Sequence, residues 1–477
     1  MWQAFVSRLG CLVLASGLSA CTALPAREAA PAKVSPSQLP QAVQVSDARG
    51  PLPPAAAQRV AAEVAAQGRS ELALHHLGVL AAQGDAHLLR GNSARMLVDG
   101  PQTFAAMRAA IAEAKGRVLL ESYIFEDDGL AAEVGELLAT KAGQGVGVAV
   151  LYDAVGSFGT SETFFDNLRA RGVSVCAFNP VNPARRPGYW GINHRDHRKI
   201  LVVDDRVGFT GGINVSQVYA SGSSGGGSRS SGGSGLGSRG APPKDAAEGG
   251  WRDTQIELRG PVAPALARAF EAHWRGQGCR DPLPPPGRAP SADAGSTTVQ
   301  LLLSDPDDPS NPIYTSVLKA IDAARRSVRL TMAYFAPGPD MAAALCGAAQ
   351  RGVQVVLILP SRSDFGLILA AGRSYYAQLL GCGVQIHELQ DALLHAKTAV
   401  IDGVWSTVGS SNLDWRSFVV NSEVNVVVLG EDFAGVLERQ FERDLAASQA
   451  IDRQAWSRRG LGQRVTETIG RIAERLL

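Results

Sequence analysis

Residues Asn193–Asn214 run NHRDHRKILVVDDRVGFTGGIN, and residues His395–Asn412 run HAKTAVIDGVWSTVGSSN. In the first stretch His197 is followed by Lys199, Asp204, Gly211 and Asn214. In the second, His395 is followed by Lys397, Asp402, Gly409 and Asn412, at the same offsets of +2, +7, +14 and +17. The chain carries eight histidines and 39 arginines but only seven lysines. At that composition roughly 0.1 H-x-K triplets are expected by chance, so two with matching partners downstream mark a repeated piece of chemistry.

The intervening ILVV and TAVI are apolar and β-branched, which predicts buried strands with histidine and lysine at alternate positions on one face. Imidazole can attack or protonate. Lysine is a compact point charge for a phosphate oxygen, and an asparagine amide adds a neutral donor. A point-charge clamp leaves room for a nucleophile at a tetrahedral centre, which explains lysine here in a chain that otherwise uses arginine. His194 lies three residues before His197, but without a third ligand nearby it does not suggest a metal site.

Working outward, TFAAMRAAIAEAKGRVLLESYIF…VGVAVLYDA is echoed about two hundred residues later by IYTSVLKAIDAARRSVRLTMAYF…VQVVLILPS. Each copy alternates strand-length apolar runs with helical stretches, the pattern of βαβ units on a largely parallel sheet. The expected organisation is therefore two tandem α/β domains, at residues 85–279 and 296–450, with a Pro-rich linker at 280–295. Residues 221–240, SGSSGGGSRSSGGSGLGSRG, contain almost no core-forming side chains and are expected to form a disordered surface loop.

The N-terminus differs from the rest. MWQAFVSRLGCLVLASGLSAC has an arginine, an apolar run too short to span a bilayer, and then Leu18-Ser19-Ala20-Cys21. Residues 1–20 are expected to be a signal peptide. Leu-Ser-Ala-Cys resembles the bacterial lipoprotein box, which implies lipidation at Cys21 and a membrane-associated lipoprotein facing the periplasm. Residues 21–84 are expected to be a tether followed by an Ala-rich helical segment. Cys176, Cys279, Cys346 and Cys382 show no zinc-like spacing, and three of them lie in apolar surroundings that suit small buried hydrophobes. Export leaves disulfides open, with no pair assignable. In the tail, 451–477, Leu461, Val465, Ile469, Ile472 and Leu476 fall on one helical face, with Arg464, Arg471 and Arg475 elsewhere. That pattern suits either packing on the domain or a membrane surface.

The duplicated H-x-K-x(4)-D with a following G-(S/G)-x-N resembles the phospholipase D superfamily over roughly residues 85–450. The copies differ only in Gly211-Gly212 against Gly409-Ser410. Within that superfamily, NHRDHRKILVVDDRVGFTGGIN, WRDTQIELRGP and GSSNLDWRSFVVNSEVNVVV are similar to bacterial cardiolipin synthases. The resemblance implies two α/β/α sandwich domains related by a pseudo-twofold axis, with the active site at their interface. It implies His197, Lys199, Asp204, His395, Lys397 and Asp402 as the catalytic set, and Asn214, Asn412, Gly211, Gly409 and Ser410 as substrate-binding. Family position adds Asp253 and Glu423 as carboxylates orienting the histidines, while Asp204 and Asp402 are expected to brace the motif backbone. The implied chemistry is double displacement at phosphorus through a phosphatidyl-histidine, with no metal and no other cofactor. Phospholipids, phosphatidylglycerol foremost, are the implied substrates.

A net charge of +1 gives no general pull toward polyanions, so a nuclease of the same superfamily and a nucleic-acid partner are not expected. Hydrolysis with water as acceptor uses the same residues and stays open. A non-catalytic anchored binding protein has no use for two intact motifs.

Overall fold

The computed structural model describes residues 24–25, 43–66, 69–81, 86–181, 193–223, 250–287, 292–306 and 308–476. Cys21, the signal segment and most of the Gly/Ser-rich stretch at 221–240 lie outside the described residues.

The duplication is visible as one strand order used twice. In the first half the order is Ser174–Phe178, Gly147–Asp153, Arg117–Ser122, Ile200–Val203, Val207–Gly211, Thr254–Arg259 and Ala86–Val98. In the second it is Gln385–Leu389, Gln354–Pro360, Ser327–Met332, Lys397–Ile401, Trp405–Gly409, Asn421–Leu429 and Thr297–Ser304. Only the first three strands of each set are parallel, joined through helices as the alternating pattern requires. The remainder are antiparallel, so the sheet is mixed and not largely parallel. The two sets join edge to edge, with Thr297 opposite Asn92 and Val299 opposite Leu89.

That join creates a shared core. Ile200, Val202, Ile256 and Phe270 of the first half pack with Val299, Val408, Val424 and Val426 of the second. All nine residues of Asn421–Leu429 are buried. Such a strand, covered on both faces, shows continuous valine and no alternation, as NVVVL does.

Two expectations, for residues 43–51 and for the cysteines, are corrected, and two segments take their place in the fold. Residues 43–51 are not tether: Val43–Asp47 pairs in parallel with Ala86–Leu89 and turns back on Gly50–Pro51. The Ala-rich segment forms two helices, Pro54–Ala66 and Ser70–Ala81, whose Val60, Val64 and Leu77 enter the second half's core beside Leu318 and Ile321. The linker is laid down on the first half, where the Pro284 carbonyl accepts from Arg117 and Gly287 N–H donates to Asp205. The four cysteines form two disulfides, Cys176–Cys279 and Cys346–Cys382, closing 103 and 36 residues of sequence. Apolar surroundings concealed this, because a half-buried disulfide and a buried thiol demand the same neighbours.

The first disulfide closes the longer loop, and the denatured chain loses more entropy by it. Removing Cys176–Cys279 by paired Ala substitutions is expected to cost about 1 kcal/mol more than removing Cys346–Cys382. Urea denaturation of the two paired variants checks this.

Candidate active site

Each motif begins on a short segment that pairs with the opposite half. Arg195–Asp196 runs parallel to Asn421–Ser422, and Leu393–Leu394 runs parallel to Trp251–Arg252. The amide of His197 donates to the Ser422 carbonyl at 3.0 Å, and that of His395 donates to the Arg252 carbonyl at 2.8 Å. The residue after each of those carbonyls is the carboxylate that meets the imidazole. His197 Nδ1 lies 3.0 and 3.1 Å from the two oxygens of Glu423, and His395 Nδ1 lies 2.8 Å from Asp253 Oδ2. The orienting pairs are thus crossed between the halves. The histidines sit in extended lead-ins rather than within regular strands, which begin at Ile200 and Lys397.

Lys199 and Lys397 are buried, and each ammonium donates to the carbonyl of its own histidine, at 2.7 and 2.5 Å. Burial lowers the Lys199 pKa to about 7 against the pull of Glu423, with Lys397 adding repulsion. Burial lowers Lys397 as well, opposed by Asp253 and Glu423. Burial also brings His197 down to about 4, although Glu423 opposes the shift. His395 is lowered by burial and by Lys397, against Asp253. Burial alone would raise Glu423, but the His197 charge and hydrogen bond, Lys199 and the Ser410 hydroxyl hold it below its ordinary value. A neutral His197 whose Nδ1–H donates to Glu423 keeps the Nε2 lone pair free.

The glycines serve the strands. A Cβ at Gly211 would come within 2.5 Å of the Thr254 carbonyl oxygen, and one at Gly409 within 2.5 Å of the Val424 carbonyl oxygen. That close approach lets Gln255 accept from Ile213 N–H and Asn425 accept from Ser411 N–H, each at 3.2 Å, and so sets the turn presenting the asparagine. Asn214 accepts from Ile124 N–H at 3.2 Å and donates to the Tyr219 hydroxyl at 3.3 Å. Asn412 Oδ1 is buried without a partner among the described residues. Ser410, expected to meet substrate, donates to Glu423 instead. At the matching place in the first half, any Cβ on Gly212 would collide with Asp253.

Asp204 and Asp402 lie at the far end of their strands, about 20 Å along the chain from the histidines. Both have positive φ, with Asp205 and Gly403 completing two-residue hairpin turns. Asp204 accepts from the amides of Lys115, Gly116 and Arg117; Asp402 accepts from those of Arg325, Arg326 and Ser327. They hold backbone and do not reach the reacting groups. His76 adds 2.9 Å to Asp402 from the N-terminal helices.

Several site residues carried no sequence signal. Tyr219, a first-half residue, places its hydroxyl 3.1 Å from His395 Nδ1. Tyr123 sets its ring edge-on to His197 at 5.2 Å, with Lys199 Nζ 5.4 Å from the ring centre. Beneath His197 a buried cluster joins Glu121, Asp196 and His273, with His273 Nδ1 2.6 Å from Glu121. Burial raises Glu121 to about 7 against the pull of Arg198, and burial together with the Glu121 charge raises Asp196 well above the ordinary range. Arg198 acts electrostatically on both, which makes the cluster a poor cation site.

Asp253→Asn and Glu423→Gln are each expected to reduce phosphodiester turnover by about 10²–10⁴-fold. Ser410→Ala, which removes one donor to Glu423, should cost about tenfold. In the parent enzyme kcat/KM should fall on the acid side with an apparent pKa near 4, where His197 takes up a proton. Glu423→Gln removes the anion that opposes the burial shift, so the residual activity should lose that limb at still lower pH. Steady-state pH profiles of the parent and variants check both statements.

A family model described as cardiolipin synthase, PLD-like domain, matches residues 317–445. The chain is 34% identical over 385 residues to a cardiolipin synthase of Geobacillus kaustophilus, covering 80% of this chain and 72% of that protein. It is 35% identical over 388 residues to cardiolipin synthase A of Pseudomonas aeruginosa, covering 80% and 74%. Among solved structures, phosphatidylserine synthase of Haemophilus influenzae Rd KW20 aligns with a TM-score of 0.58 at 12% identity, over 80% of this chain and 95% of that one, a likeness of fold. With relatives at 34–35% identity covering 80% of it, the chain belongs to the cardiolipin synthase family of the phospholipase D superfamily, a family of phosphatidyltransferase enzymes.

Proposed function

We propose that the protein makes cardiolipin from two molecules of phosphatidylglycerol by way of a phosphatidyl-histidine. The observation that carries the reading is the crossed pair of His–carboxylate contacts in a buried site holding two lysines. In the first displacement His197 Nε2 forms a bond to phosphorus as the P–O bond to glycerol breaks. His395, protonated at that stage, gives its proton to the leaving glycerol oxygen. The primary hydroxyl of a second phosphatidylglycerol then loses its proton to His395 and attacks phosphorus, breaking the N–P bond. Cardiolipin and glycerol leave, and both histidines return to their starting states. Lys199, Lys397, Asn214 and Asn412 stabilise the charge on the non-bridging oxygens.

The protonation states fit substrate-linked loading. In the empty site burial depresses both histidines. A bound phosphodiester anion beside the lysines raises them, favouring one shared proton, and the pair titrates as a unit. His197 is assigned as nucleophile because its Nδ1 is taken up by both oxygens of Glu423. His395 shares its Nδ1 with Asp253 and Tyr219 and lies against Lys397.

Purified protein and phosphatidylglycerol vesicles should yield cardiolipin and free glycerol by mass spectrometry. Phosphatidic acid as the only lipid product would replace this reading by hydrolysis. With labelled lipid and an alkaline quench, His395→Asn should trap label on His197. Label only on His395, in the His197→Asn protein, reverses the roles.

We further propose that the chain is an exported lipoprotein held at a membrane by acyl chains on Cys21, facing the periplasm. Two disulfides support an oxidising compartment. No helix among the described residues is long and apolar enough to cross a membrane. The mature N-terminal peptide is expected to begin at Cys21 and carry acyl mass. An unmodified N-terminus in peptide mass spectrometry counts against the anchor.

A further inference from the structure

The tail is a docked helix with its apolar face turned outward. Leu461–Ala473 lies along Gly366–Arg373, where Gly470 comes so close that a Cβ would stand 2.5 Å from the Ala371 amide. Glu467 and Gly470 form its buried side, and Glu467 is held by Arg459 at 2.7 Å. Tyr375 donates to Glu474 at 2.6 Å, and Arg471 stacks on the Tyr375 ring at 3.5 Å. At 100° per residue, Leu461, Val465, Ile469 and Ile472 share the side away from that contact. They are 80%, 57%, 54% and 78% exposed. A helix that merely packed on its domain would bury this stripe; here the polar side and a glycine are buried instead.

The charge around the stripe is one-sided. Between residues 453 and 475 there are six arginines and two glutamates, and both glutamates are consumed by the contacts just described. Arg453, Arg458, Arg464 and Arg475 are exposed and have no carboxylate partner among the described residues. An apolar stripe flanked by arginines without carboxylate partners, Arg475 lying over the Trp415 ring at 5.3 Å and Arg464 donating to the Ser457 carbonyl, matches the headgroup and acyl boundary of an anionic bilayer.

The helix is also placed at the site. The segment it packs on begins just after Phe365, which is 43% exposed and follows Asp364, the acceptor of the Tyr334 hydroxyl. Tyr334 lies 6.2 Å from the His395 ring. The first half repeats the arrangement: Phe158, 84% exposed, caps a turn whose Ser157 donates to the carbonyl of Tyr123, the ring against His197. Each histidine thus has an exposed phenylalanine one layer out.

We infer that the Leu461–Ala473 helix, together with Phe365 and Phe158, is a bilayer-docking face that seats the active-site mouth on an anionic phospholipid surface. The choice of occupant rests on the phospholipid reading of the site; the face itself does not. Docking lets a substrate slide from the leaflet into the site without its acyl chains crossing water.

The test uses the full chain carrying Cys21→Ser, so that no acyl anchor contributes. It should sediment with sucrose-loaded phosphatidylglycerol vesicles at least about tenfold better than with phosphatidylcholine vesicles, and the preference should shrink at high salt. Ile469→Glu with Ile472→Glu should lower that partition about tenfold, while turnover of monodisperse short-chain phosphatidylglycerol stays within about twofold of the parent. As a second readout, bimane on Ile472→Cys should be quenched by brominated acyl chains. Unchanged partition in the double variant, or no quenching, overturns the proposal. So does a dimer that the double variant dissociates with vesicle binding unaltered, since the face is then a contact between copies. If the parent binds vesicles but leaves short-chain phosphatidylglycerol intact, the docking face stands and the substrate reading falls.

Discussion

Everything at the site hangs on two short parallel ladders that cross between the halves. In each, a motif's lead-in lies beside the strand that supplies the other half's carboxylate, and one main-chain hydrogen bond fixes the register. A slip of one residue would turn Glu423 or Asp253 to the opposite face and leave an imidazole unoriented. The large edge-to-edge sheet and the shared valine core serve to hold that register. Their stability comes from apolar burial, which is not directional, whereas the ladders supply the direction.

The duplication sets two identical groups to work and then distinguishes them. Ser410 gives Glu423 a hydroxyl donor; Gly212, at the same place, leaves only room for the shorter Asp253. Tyr219 reaches from the first half to His395, while His197 has the edge of Tyr123. The buried Glu121 and Asp196 carboxyls, both pushed up by burial, lie behind His197, whereas the residue before His395 is Leu394, packed among apolar side chains. Small differences of this kind suffice to separate two coupled imidazoles, because each unit of pKa is only about 1.4 kcal/mol.

What could be seen in the sequence was whatever the duplication repeated. The two motifs and the two α/β halves could be placed because each had a counterpart to be aligned with, whereas the carboxylates in WRDTQIEL and VNSEVNV came from the family resemblance. Crossing of the carboxylates could not be seen, since it depends on a contact 226 residues long for His197 and 142 for His395. The strand at Val43–Asp47 was hidden among alanine and proline, being short and stabilised only by a partner elsewhere. Tyr219 has no twin, and the roles of Gly211 and Gly409 emerge only when the adjacent strand is in place. The tail's amphipathic spacing was plain, but periodicity says which residues share a face and not which face is covered.

The crossed contacts also bear on when the chain becomes reactive. A polypeptide is synthesised from its N-terminus, so His197 emerges 226 residues before Glu423 exists. Asp253, for its part, waits 142 residues for His395. Neither half carries a complete imidazole–carboxylate pair of its own, so a prematurely ended chain leaves its first histidine without its orienting carboxylate however well its first half folds. On the phospholipid reading proposed above, this interlock is a timing device. The oriented pairs are complete only when the whole molecule is present and closed.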